Sequence, residues 1–96
     1  MLDREYFATM SERQQAFQIE AYERNLRIAG DENHYRPIRE FTILLGFQFE
    51  DRIGNVHRVD GINRKKQILW TRIVNTKVKR LDMWTFNHSV RIPKQK

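Results

Sequence analysis

Cysteine is absent from this chain of 96 residues, which removes disulfide staples and thiolate metal sites together. That absence fits a reducing compartment, and the expected location is the cytoplasm. No apolar run approaches the ~18 residues of a membrane span, and the opening residues MLDREYFATM have no signal-peptide core. No membrane partner is expected. The four glycines, Gly30, Gly46, Gly54 and Gly61, stand apart, so no phosphate-cradling loop forms. Proline occurs only at Pro37 and Pro93, leaving residues 3–29 and 38–92 as long uninterrupted stretches.

What is present is a chain with 40% apolar and 31% charged residues, the balance of one small globular domain. Its charge is segregated. Residues 1–34 carry four Arg against seven Asp/Glu, while residues 35–96 carry fourteen Lys/Arg against five Asp/Glu. The domain therefore divides into an acidic helical arm at 3–29, a basic β-rich body at 38–92 and a tail at 93–96. A net charge of +6 concentrated in the second part points to an anionic partner there, with solubility as the plainer use of the charge.

Good helix formers fill residues 3–29. Ser11 and Gln14 have capping-box spacing, predicting a short helix or turn over Asp3–Met10 and a main helix over Glu12–Ala29; one helix over 3–29 is the alternative. Gly30 stands at the C-cap position. At 100° per residue Tyr6, Met10, Phe17, Ala21 and Ile28 form one apolar stripe. Ile19, Tyr22, Leu26 and Ala29 form a second. This second group is either part of a wide buried face or a protein interface through Ile19, Tyr22 and Leu26, including self-association.

Beyond Pro37 the period changes from 3.6 to 2. Strands are predicted within 40–49, over 56–60, over 67–75, over 77–81 and over 88–92, with a 3₁₀-like turn within 82–87. The predicted core is Phe17, Phe41, Ile43, Phe47, Val59, Leu69, Ile73, Leu81 and Val90. Short antiparallel strands at this spacing suit a small closed barrel or curled sheet. The order of Phe49, Asp51, Gly54, Asn55, Val59 and Ile62 resembles the first hairpin of SH3-like barrels of the Tudor and KOW kind. The segment LDMWTFNHSVRI is similar to the 3₁₀ turn and last strand of that fold. The resemblance spans residues 40–92 and implies an α+β domain, a helical arm packed on a five-stranded antiparallel SH3-like barrel. It implies no methyl-ligand reading, because no four-aromatic cage can be assigned.

Catalytic chemistry has little to stand on. His34, His57 and His88 lie too far apart for a local zinc motif and read as surface or hairpin histidines. Glu50, Asp51 and Asp60 lack the pattern of a nuclease magnesium site, because adjacent strand residues face opposite ways. Ser11 is used as a cap and Ser89 lies in a strand. No cofactor, metal or catalytic residue is expected, and the domain reads as non-enzymatic.

The basic residues carry the functional expectation. Arg58, Arg64, Lys65, Lys66, Arg72, Lys77, Lys79 and Arg80 fall on consecutive strands and their tips, with Trp84 among them as a possible stacking surface. They suit backbone contacts to DNA or RNA, with the 63–66 tip gripping phosphates. The rival expectation is an inhibitor or adaptor of the kind phages and mobile elements use, docking on an acidic surface of a host nucleic-acid-processing protein.

Overall fold

The main helix starts where the capping box places it. The computed structural model describes residues 8–93, and within them α1 spans Glu12–Ala29. Gln14 N–H donates to Ser11 Oγ (3.2 Å) and Ser11 N–H donates to Gln14 Oε1 (3.1 Å), so both halves of the box are made. Gly30 ends the helix at φ 77°, a conformation costly for any side chain, and its N–H closes on Leu26 O at 3.1 Å. Most of the predicted Asp3–Met10 helix, Tyr6 included, lies outside the described residues.

The face α1 buries draws on both predicted groups, taking Ala21 and Ile28 from the first and Tyr22 and Ala29 from the second. Ala21, Asn25 and Ala29 are buried, and Tyr22 and Ile28 pack against the core beside them. Phe17, predicted to be core, is 55% exposed, because the docking face centres on Asn25. Periodicity missed this because the centre of the face is polar. Asn25 Nδ2–H donates to Thr42 O (2.9 Å) and Thr42 N–H donates to Asn25 Oδ1 (2.7 Å), so one amide replaces a strand partner for the 41–47 segment. Gln18 Nε2–H adds a bond to Leu45 O at 3.0 Å. Asn25→Ala leaves Thr42 without both partners, and a loss of about 1–3 kcal/mol is expected in urea denaturation.

After α1 come β1 (Arg36–Pro37), a 3₁₀ turn (Ile38–Glu40), β2 (Gln48–Glu50), β3 (Val56–Asn63), β4 (Ile68–Ile73), β5 (Leu81–Thr85) and β6 (Ser89–Val90). The protein is thus α+β and antiparallel throughout. One sheet has the meander order β2-β3-β4-β5, and the other pairs β1 with β6. Neither sheet closes on itself. A single bridge, Glu50 with Arg91, brings the end of the chain alongside β2, with backbone bonds of 2.8 and 3.1 Å. Arg91 Nε–H also donates to the Glu50 carboxylate at 2.7 Å. Asn33 clamps the backbone of Ile92 with bonds of 2.7 and 3.0 Å, fastening the same segment to the helix end.

The core lies between α1 and the inner face of the meander: Ile38, Phe41, Ile43, Phe47, Phe49, Val59, Leu69, Val90 and Ile92. Only the end of the apolar run within 40–49 is strand, since Asn25 serves the backbone at Thr42. The strand predicted over 77–81 is instead part of a longer connection, and β5 starts at Leu81. Asn75 explains the shift. Its side chain accepts from Val56 N–H (2.9 Å) and donates to Gly54 O (3.0 Å), stapling the connection to the 52–55 turn instead of closing a tight hairpin. Leu81 is consequently exposed, not core as predicted. No helix among the described residues is long and apolar enough to cross a membrane.

Candidate docking surface

The outer face of the meander is built by strand alternation. On β4, Leu69, Thr71 and Ile73 turn inward, leaving Trp70 and Arg72 outside. Met83 lies opposite Trp70 and Leu81 opposite Arg72, so both stand on this outer face, 62% and 55% exposed. Val74 and Val78 in the following connection are also exposed. On the β3 side Gly61 lies opposite Trp70, and a Cβ at that position would meet the indole at 3.2 Å. Glycine is what lets the Trp70 ring come this close to β3.

Asp60 is the extra residue of a β-bulge, where the β3–β4 register shifts between Val59 and Gly61. The bulge aims its carboxylate back across the sheet. Arg58 Nε–H donates to Asp60 Oδ1 at 2.9 Å and Arg72 Nε–H to Asp60 Oδ2 at 2.8 Å. Arg80 is held likewise by Asp82 at 2.9 Å. Arg64 donates to Ile43 O at 2.6 Å, which ties the β3–β4 tip to the 41–47 segment. Of the residues predicted to meet an anion, Arg58, Arg72 and Arg80 thus have carboxylates beside them.

The lysines differ. Lys65, Lys66, Lys77 and Lys79 are exposed, and none has a carboxylate partner among the described residues. They do not form one patch. Lys65 and Lys66 sit at the tip before β4, Lys77 and Lys79 in the connection after it, separated by about 20 Å of strand.

Trp84 does not join the basic surface. It turns inward, edge-on to Phe49, His57 and His88 with ring centroids 5.5, 4.9 and 5.0 Å away. Its indole N–H donates to Thr71 Oγ1 at 3.1 Å. Trp70 is the tryptophan on the outer face.

Behind Trp84 lies a buried polar chain that sequence reading missed. His57 is fully buried, its ring stacked on Phe49 at 5.1 Å. With the proton on Nε2, Trp84 donates to Thr71, Thr71 O–H to His57 Nδ1 (2.9 Å) and His57 Nε2–H to Asp51 Oδ2 (2.9 Å). Asp51 Oδ1 accepts from Ile53 and Asn55 N–H groups, closing the β2–β3 turn. Burial pushes the Asp51 carboxyl up, but the bonds from His57, Asn55 and Ile53 outweigh it and hold the group below the usual carboxylate range. The signal in the sequence was parity: His57 shares its strand face with Val59. No buried side-chain N or O among the described residues lacks a partner, so the chain of bonds is satisfied within itself and reads as structural.

The predicted helix interface splits. Tyr22 packs against the core, while Ile19 and Leu26 stay exposed. Among the described residues no group of three His, Asp or Glu is arranged to hold a metal ion. No family model, curated protein or solved structure matches the chain.

Proposed function

We propose that this domain is a non-enzymatic protein-docking module of the inhibitor or adaptor kind, meeting an acidic partner with the outer face around β4 and β5. The observation that carries the reading is the outer face itself, where Asp60 holds Arg58 and Arg72 beside exposed Trp70, Leu81 and Met83, while the Asp82 that holds Arg80 faces the other side of β5. Phosphate binding draws on uncompensated cations and gains nothing from exposed Leu and Met. Aromatic residues, Met and Arg are the types enriched where proteins meet. The lysines at the two ends supply a rim for acidic groups. An SH3-like frame is part of the proposal, supported by the meander order and by the bridge that sets Arg91 beside β2.

A second reading, backbone binding to DNA or RNA, is favoured by the four lysines and Arg64, which have no carboxylate beside them among the described residues. Salt-titrated binding to duplex DNA, single strands and RNA separates the two. The expected result is weak binding that vanishes near physiological salt. Asp60→Asn with Asp82→Asn removes the carboxylate charges beside three arginines and should steepen the salt dependence by about one unit for each phosphate newly contacted. Salt-resistant binding by the unaltered protein would refute the docking reading.

A further inference from the structure

We infer that β5 receives the partner by strand addition: an extended peptide segment with acidic ends pairs antiparallel beside Leu81–Thr85 as a fifth strand of the meander. The inference rests on the docking reading and specifies its mode.

The two edges of the meander are unlike. At β2, Glu50 N–H and C=O bond to Arg91, and Gln48, Phe49 and Glu50 are all buried. At β5 only the Thr85 C=O is taken, by His88 N–H at 3.3 Å; nothing comparable covers Leu81 or Met83 among the described residues. Phe86 N–H donates to Gln67 O, which fixes the phase of the β4–β5 ladder: Trp84 and Asp82 bond to β4, and the backbone groups of Leu81 and Met83 point away from it. No backbone bond from another element reaches those two residues among the described ones. Sheet edges are ordinarily blunted by an outward lysine, a proline or a bulge. Leu81, Met83 and Thr85 provide none of these, and the strand's one charge, the inward-facing Asp82, is matched by Arg80 at 2.9 Å.

Charge selects the occupant. Lys77 and Lys79 precede β5, while Lys65 and Lys66 lie at the tip beside its far end, where Phe86 meets Gln67. A strand laid along β5 therefore runs from one lysine pair to the other. Carboxylates at both of its ends would match them, and apolar residues at alternate central positions would lie beside Leu81 and Met83. A second copy of this chain fits less well. Antiparallel self-pairing centred on Met83 would bring the 77–80 segment of one copy beside residues 86–89 of the other, which carry no acidic group.

The test uses a fluorescent octapeptide, Glu-Glu-Val-Thr-Val-Thr-Glu-Glu, its all-Lys-ended counterpart, and two backbone-methylated forms carrying N-methyl groups on the Val or on the Thr amides. Anisotropy should show binding of the acidic peptide and at least about tenfold weaker binding of the Lys-ended one. One methylated isomer should bind nearly as well as the parent and the other about tenfold or more worse, because only alternate amides face the sheet. The Leu81 and Met83 amides should gain hydrogen-exchange protection in the complex. Met83→Pro should weaken binding similarly, since that N–H lies outside the β4 ladder. Equal binding of both isomers without amide protection would overturn strand addition while leaving docking on the face intact. No binding of the acidic peptide beyond the Lys-ended control would also overturn it. A dimer abolished by Met83→Pro would give the edge to a second copy and overturn the choice of occupant. Preference for single-stranded DNA or RNA over every peptide at physiological salt would refute the docking reading itself.

Discussion

Truncation of Phe49 to Ala is expected to cost about 3–5 kcal/mol, the largest effect of any single side chain here. Phe49 is fully buried, stacks on His57 at 5.1 Å, meets Trp84 edge-on at 5.5 Å and lies 6.2 Å from Phe47. Its removal opens a void between β2 and the helix-covered core, where neighbouring rings are too constrained to collapse. A domain of this size has about 5–15 kcal/mol in all, so the variant should unfold at a much lower urea midpoint with an unchanged slope. Leu69→Ala should follow closely, at about 2–5 kcal/mol, because Leu69 is also fully buried. Ile53→Ala is the control. That side chain is 82% exposed, and a change within about 0.5 kcal/mol is expected. A loss below about 1 kcal/mol at both Phe49 and Leu69 would contradict the core described here.

The second large effect concerns the polar chain from Trp84 to Asp51. His57→Phe keeps roughly the ring shape but leaves Asp51 Oδ2 without its His57 donor and the Thr71 O–H without its acceptor, at an expected cost of about 2–4 kcal/mol. Its pH dependence has a definite sign. The Asp51 carboxyl is held below its ordinary value in the folded protein, so between the two values the unfolded chain binds the extra proton. The stabilisation is complete above the unfolded value of about 4 and is lost as pH falls through the folded one. Asp51→Asn should therefore be less stable than the unaltered protein at neutral pH, with the difference shrinking as the solution is acidified below about pH 4. A difference independent of pH would mean that the ionised carboxylate is not what holds the turn.

Much of this architecture was written in local patterns. Ser11, Gln14 and Gly30 set the limits of α1 because caps act over three or four residues, and the change of period after Pro37 marked the passage from helix to sheet. Strands β3 and β4 were legible from alternation. The failures share a cause. At Phe17, at Leu81 and in the 40–49 run, an asparagine elsewhere in the chain decided the outcome, through Asn25 at Thr42 or Asn75 at Val56 and Gly54. A polar side chain acting as a substitute strand leaves no periodic trace. The basic surface was legible as a list of residues but not as a field, because Asp60 reaches both Arg58 and Arg72 only through a bulge.

The bridge between Glu50 and Arg91, together with the clamp of Asn33 on Ile92, has a bearing on how the chain is made. These contacts span 41 and 59 residues, and they fasten the segment after β6 to parts of the chain made earlier. Helix α1 and the successive hairpins have local partners and can form in order as the chain emerges from the ribosome. β2 cannot: one of its edges stays open until Arg91 has been added. During synthesis the domain therefore passes through a stage with two bare strand edges, and a chain terminated before Arg91 would remain there, exposed to pairing with its neighbours.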